Sequence, residues 1–230
     1  MENIIFKITN VPFNYYFSPK FIFNWWDLTI KEYGLEFAIN HKNDEFKKAR
    51  EMWIGSIFAC CMRYHTNIEH WVTPINDSGS PDVEIGHYEG DKFGKQNLEI
   101  TEYESHVINI YDILEKKLKR KYAKYTIILV YITKNNHSPI NIDDVRKYLN
   151  QNNPDKHEIC LLGAFNQIES FDYQPLTIYF LYGDIKISIN YNKEKLISNT
   201  SEIYRIDGRG NDKIGKTTGT VSLTIPGTKR

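Results

Sequence analysis

Cysteine is scarce in this chain, and its placement excludes two kinds of site. Cys60, Cys61 and Cys160 are all there is. Two are adjacent and no CxxC occurs, so neither a disulfide framework nor a thiolate zinc site is indicated. No run of about 18 apolar residues exists, which argues against a membrane-spanning helix. The opening stretch, MENIIFKITNVPFNYYFSPKF, lacks a cationic start followed by an unbroken apolar run and does not read as a secretory signal. Net charge is missing too. Twenty-nine basic and 29 acidic residues cancel, so there is no overall cationic footprint, although charge can be segregated locally. These absences lead to the expectation of a reduced, soluble, cytoplasmic protein with no membrane partner.

What is present suits a folded domain. At 230 residues, with 41% hydrophobic and 25% charged residues, the chain has room for one large domain or a domain with an appendage. Residues 1–43 are dense in aromatics (Phe13, Tyr15, Tyr16, Phe17, Phe21, Phe23, Trp25 and Trp26) and are expected to pack on the core as a strand or two and a short helix. Over residues 44–64, Phe46, Ala49, Trp53, Ile57, Cys60 and Cys61 recur at helical steps, with Asn43 or Asp44 as N-cap. HWVTPI, PDVEIGHY and NLEITEY read as strands, with EGDKFGKQ as a hairpin loop between the last two. A helix over 106–124 carries the stripe Val107, Ile110, Tyr111, Leu114, Leu118, Tyr122. TIILVYIT then reads as a strand buried on both faces, followed by a helix from Asn141 and the strand HEICLLGAF. The class is therefore α/β: a mixed β-sheet with flanking helices over residues 44–169. Residues 170–230 form a β-rich extension, with two antiparallel strands meeting near Gly183 and a Gly- and Thr-rich end.

Carboxylates are concentrated in the middle of the chain. Strand alternation puts Asp82 and Glu84 on one side of PDVEI, and Glu99 and Thr101 on one side of LEITEY. Pairing the strands with their apolar faces inward gathers Asp82, Glu84, Glu99 and Thr101 on a single polar surface. Like charges there cost stability unless a cation or solvent relieves them. Mg²⁺ and Mn²⁺ take one or two carboxylates, a carbonyl and waters, so Asp82, Glu99 and the Ile100 carbonyl are candidate metal ligands. Glu102 and Glu104 read as solvated residues of a strand end.

The order helix, strand, PD, strand, E-apolar-x, helix, strand resembles the PD-(D/E)xK nuclease superfamily. The resemblance covers roughly residues 44 to 165, with Pro81-Asp82 matching the first motif and Glu99-Ile100 the start of the second. It implies a restriction-endonuclease-like core and metal-dependent hydrolysis of phosphodiester bonds, with nucleic acid, DNA first, as partner. Asp82 and Glu99 would hold Mg²⁺ or Mn²⁺, and a helix Glu, Glu51 ahead of Glu45, would complete the site. One position departs from the pattern: Thr101 stands where the lysine belongs. Such lysines migrate within the superfamily, and Lys95, ahead of Lys92, is the nearest candidate for that role. Without a lysine the same fold would be a degenerate module that binds nucleic acid or protein. A homodimer is compatible with either.

Other signals weigh less. Lys116, Lys117, Lys119, Arg120, Lys121 and Lys124 give the second helix a cationic end suited to phosphate contact or simply to the helix dipole. His65, His70, His87 and His106 flank the acidic region without a zinc spacing such as HxxxH. His106 is near enough in sequence for proton transfer. Cys60-Cys61 in an apolar stripe reads as inert core. GNDKIGKT at 210–217 fits the phosphate-loop spacing but is followed by a β-branched, Pro-broken stretch instead of a helix.

Overall fold

The structure, a computed structural model, describes residues 3–35, 43–76, 81–103, 109–132, 140–163, 176–183, 185–190, 203–206, 214–216 and 220–224. The strands are β1 (Asn3–Phe6), β2 (Tyr15–Phe17), β3 (His70–Pro74), β4 (Val83–Glu89), β5 (Lys92–Tyr103), β6 (Ile127–Ile132), β7 (Ile159–Gly163), β8 (Leu176–Phe180), β9 (Ile185–Ile189), β10 (Ile203–Ile206), β11 (Ile214–Lys216) and β12 (Thr220–Leu223). The helices are α1 (Pro19–Tyr33), α2 (Asp44–Thr66), α3 (Ile110–Leu118) and α4 (Ile142–Asn152). From α2 to β7 the order is helix, three strands, helix, strand, helix, strand, as the periodicities predict.

Ten strands form one mixed sheet in the order β11-β10-β2-β3-β4-β5-β6-β7-β8-β9. Only β5-β6 and β6-β7 pair in parallel. Helices α3 and α4 provide the crossovers that parallel pairing demands. β1 and β12 pair in parallel as a separate ribbon.

Each face of the sheet has its own core. On one side, Ile22, Phe23, Trp26 of α1 and Met52, Ile57, Phe58 of α2 pack on Ile85, Leu98, Ile100 and Leu129. On the other, Ile113 and Leu114 of α3 and Val145 and Leu149 of α4 pack on Ile128, Val130, Ile159 and Leu161. β6 thus alternates between two cores, as a continuous β-branched run should. α2 lies between α1 and the sheet, so it is buried nearly all round, Cys60 and Cys61 included. Gly55 lets it approach closely: a Cβ there would stand 2.9 Å from Val83 Cγ1. The aromatic N-terminal stretch is packing, apart from exposed Phe13.

Three local readings need correction. The hairpin loop between β4 and β5 is not eight residues but two, Gly90-Asp91, and the strands run on to it. Gly90 has φ +62, the left-handed conformation a tight hairpin takes at its first loop position. The second cationic helix is shorter than 106–124. It starts after Asn109, whose side chain and Asp112 form a capping box, and ends at Leu118. Continuing it would stack Lys116 on Arg120 and Lys117 on Lys121 at i,i+4, a like-charge arrangement that disfavours helix. Within GNDKIGKT, Ile214–Lys216 is an antiparallel strand against β10, and β12 comes next in place of a helix. That geometry is wrong for a phosphate loop; Gly210 to Lys213 and Thr217 lie outside the described residues.

Candidate functional site

The site forms where β4 and β5 part company. Their ladder ends at the pair Val83↔Leu98, because Pro81 has no N–H to offer and the chain bends at Asp82. β5 continues for five residues with only β6 beside it. The Ile100 N–H, left without a strand partner, donates instead to Asp82 Oδ2 at 2.8 Å. The Asp82 carboxylate therefore substitutes for the missing strand, which fixes its position.

Helix α2 brings a second group to the same spot. Lys48 Nζ donates to the Asp82 carbonyl at 3.2 Å and pairs with Glu51 at 2.8 Å. The N-cap sets the phase of this helix: Asn43 Oδ1 accepts from the Glu45 and Phe46 N–H groups. Glu51 faces the site. Glu45 does not; it pairs with Lys7 at 3.0 Å.

Glu99 lies on the opposite face of β5 from Ile100, where the α3–α4 core begins. It is only 2% exposed, so the open polar surface expected from alternation is a buried pocket of charge. Lys117 Nζ sits 2.5 Å from Glu99 Oε1 and 3.5 Å from the Ile100 carbonyl, and Arg120 is 3.3 Å from the same Glu99 oxygen. The Lys117 ammonium thus rests on two of the three groups named as metal ligands. Glu84, by contrast, is drawn away: it accepts from the Tyr16 hydroxyl and lies 3.2 Å from Lys95.

Asp82 shows the electrical consequence. Burial, then the Glu51 carboxylate, then the Glu99 carboxylate, push its pKa up to about 6, against the opposing pull of the Ile100 N–H and Lys48. Asp82 thus feels two other carboxylates, and the Ile100 N–H and Lys48 offset them only in part.

Both sequence candidates for the lysine lie away from Glu99. Lys95 lies four residues from Glu99 along β5, about 13 Å at strand rise, and is engaged with Glu84 and the Tyr16 ring. Lys92 is in the first position of β5, beside the turn. Lys117 of α3, not Lys95 or Lys92, is the lysine that meets Glu99. Thr101 shares the Glu99 face of β5, across from Val130. Glu102 is not a solvated strand end; it pairs with Arg50 of α2, and both are largely shielded from solvent. Glu104 and His106 lie outside the described residues.

Of the phosphate candidates, Lys116 and Lys121 are exposed, Lys119 pairs with Glu115 at 2.6 Å, and Lys117 and Arg120 turn inward to Glu99. His70 and His87 are cross-strand partners with ring centroids 5.1 Å apart. His70 Nδ1 is 2.6 Å from the Ile68 carbonyl, and burial lowers its pKa to about 4.

Among the described residues, no three Asp, Glu, His or Cys side chains stand close enough to hold an ion between them. Two carboxylates and the Ile100 carbonyl remain. They are oxygen donors, and the Lys117 ammonium already rests against Glu99 and the Ile100 carbonyl. No helix among the described residues is long and apolar enough to cross a membrane. Compared with known proteins, the chain matches no family model, no curated protein and no solved structure.

Proposed function

We propose that this protein is a metal-dependent nuclease-like enzyme of the PD-(D/E)xK kind, hydrolysing phosphodiester bonds, in DNA first. The observation that carries the reading is Ile100 with its two polar neighbours. Its N–H holds Asp82, while its carbonyl and Glu99 share one ammonium, Lys117. Acid, carbonyl, acid and lysine are thereby assembled around one peptide unit.

A bound Mg²⁺ or Mn²⁺ would supply charge for the phosphate oxygens and lower the pKa of a water. Asp82, Glu99 and the Ile100 carbonyl are the groups to hold it. Glu51 would keep Asp82 poised, and Lys48 holds the Asp82 backbone in place. Lys117, held beside Glu99 and the Ile100 carbonyl, would supply positive charge as negative charge develops on a phosphate there. Arg120, half exposed, offers a second cation at the mouth of the site. Incubation of labelled DNA with the purified protein and Mg²⁺ or Mn²⁺ is expected to give cleavage. Asp82→Ala is expected to abolish it, and the absence of cleavage by the wild type with either metal would refute the reading.

One observation favours a second reading. Glu51, Glu99 and Glu102 each already have a lysine or arginine, so the cluster is partly neutralised without metal. In that case the fold is a catalytically degenerate binding module with Lys117 as a permanent counter-ion. Divalent ions then leave stability unchanged, and nucleic-acid binding survives Asp82→Ala.

A further inference from the structure

Three non-glycine residues have positive φ, among the described residues: Asn67, Tyr125 and Lys156. Asn67 is the C-cap of α2, where asparagine in that conformation is ordinary. The other two have no such excuse, and both line the same cavity of about 670 Å³. A bulky residue held at φ +70 is disfavoured, and backbone outliers of this sort gather at ligand clamps.

The cavity opens where the N-terminal ends of β6 and β7 meet the segment after α3. Lys121, Tyr122, Lys124 and Tyr125 come from that segment, and Lys156 and His157 from the turn before β7. Both strained turns are pinned. The Gln96 side-chain amide donates to the Tyr125 carbonyl, and the Thr126 N–H to the Ala123 carbonyl at 3.1 Å. On the other rim the Lys156 N–H donates to the Asn153 carbonyl at 3.2 Å, and Asn153 Nδ2 to the His157 carbonyl at 2.8 Å. The result is a rigid frame around an open ring. Tyr125 is 74% exposed, with Lys124 Nζ 4.9 Å from its centroid. Tyr122 stands edge-on to His157, centroids 5.5 Å apart.

Its position ties the cavity to the acidic site. Ile127, on its floor, pairs with Leu98, one register step from Glu99↔Ile128. Arg120, the residue before Lys121, reaches Glu99. The cavity floor is thus one strand position from Glu99.

We infer that this cavity binds one nucleotide of a single-stranded nucleic acid, the base stacked on Tyr125 and the flanking phosphates on Lys121, Lys124 and Lys156. Aromatic faces beside a cationic track are how single strands are held without sequence preference. The volume lies within the range of small-molecule pockets. Duplex bases, buried in their own stack, cannot reach the ring. Asp155 and Glu158 on the rim add acceptors for an exocyclic amine. The inference rests on the nuclease-like reading for what lies next door, but the binding itself requires neither metal nor cleavage.

The test is fluorescence anisotropy with labelled 20-mers of single-stranded DNA, single-stranded RNA and duplex DNA, in EDTA, using the full chain and its Asp82→Asn variant. Both proteins are expected to bind the single strands more tightly than the duplex; the two single-stranded arms show whether the sugar matters. Tyr125→Ala should weaken single-strand binding roughly five- to hundredfold, the span of one stacked base. Tyr125→Phe should retain it. Replacing Lys121, Lys124 and Lys156 with Ser should reduce the salt slope by about 2. Tyr125→Gly supplies the check against a merely structural role: relieving the positive φ should hold or raise Tm while binding falls. Equal binding by wild type and Tyr125→Ala, or tighter binding of duplex, would overturn the inference. Loss of cleavage with retained single-strand binding would refute the nuclease-like reading alone.

Discussion

Val83 separates two acids, Asp82 just ahead of β4 and Glu84 within it, that differ in how their charge is met. On one side Glu84 has the Tyr16 hydroxyl and the Lys95 ammonium, the latter about half exposed. On the other side the Asp82 carboxylate accepts a backbone N–H and feels two more carboxylates, which Lys48 offsets only in part. Glu84 stands where β3, β4 and β5 are all paired, so its surroundings are fixed by the sheet and closed by a lysine of the same hairpin. Asp82 stands where the ladder has ended. Helix α2, the tail of β5 and the end of α3 each contribute charge there, and the cations they bring pair with Glu51, Glu99 and Glu102 and not with the Asp82 carboxylate. A paired sheet settles its charges locally, whereas a place where strands diverge can hold charge in reserve for a ligand.

The largest expected effect breaks the comparison at its root. Asp82→Ala should lower metal-dependent cleavage by roughly a thousandfold or more, as the loss of several kcal/mol of charge stabilisation requires. Glu84→Ala should change it by less than about threefold. Similar losses in the two variants would show that the clusters act as one.

The two lysines provide the next contrast. Lys117→Met should reduce cleavage by about a hundredfold and destabilise the fold by on the order of 3 kcal/mol, because Glu99 is left buried with only Arg120. Adding Glu99→Gln should recover most of the stability in urea denaturation and none of the activity. Lys95→Met, whose partner pair is partly solvated, should cost no more than about 1 kcal/mol and leave activity alone.

Stability against pH sharpens the same point. The Asp82 pKa is raised from 3.8 to about 6 in the fold, so the folded protein favours the protonated form. Its contribution is fully present below pH 3.8 and is lost as pH rises through about 6. Asp82→Asn should therefore stabilise the fold at pH 7.5 by up to about 3 kcal/mol and have no such effect near pH 3.5. His70 runs the other way. Its pKa is lowered from 6.5 to about 4, so the stability of the neutral ring is present above pH 6.5 and lost as pH falls through 4. His70→Gln should flatten that acid limb by on the order of 2 kcal/mol in thermal unfolding.

Much of this was legible in the sequence because it is local. The α2 periodicity and its Asn43 cap place Glu51 on the sheet side, and the alternation of LEITEY correctly separates Ile100 from Glu99. The cationic run alone does not single out Lys117 from its neighbours as the residue that turns inward to Glu99. The signal was present: 110, 113/114 and 117/118 are the inward steps of α3, so Lys117 falls on the apolar stripe between Leu114 and Leu118, and a lysine there needs a buried acid. The burial of Glu99 was not legible, since it depends on α3 folding back over β5. Nor was the Glu84 cluster, which requires Tyr16 on β2 to meet a hairpin 68 residues later. That β4 begins just after Pro81 could be read, but not that Asp82 would then accept from the Ile100 N–H.

The most direct measurement is a calorimetric titration of Mn²⁺ into the wild type and into Asp82→Asn at pH 7.5. The account predicts a saturable site in the wild type that is lost in the variant. Heat indistinguishable from dilution in the wild type would mean that the protein's own lysines and arginine are the only cations this site takes, and would contradict the account.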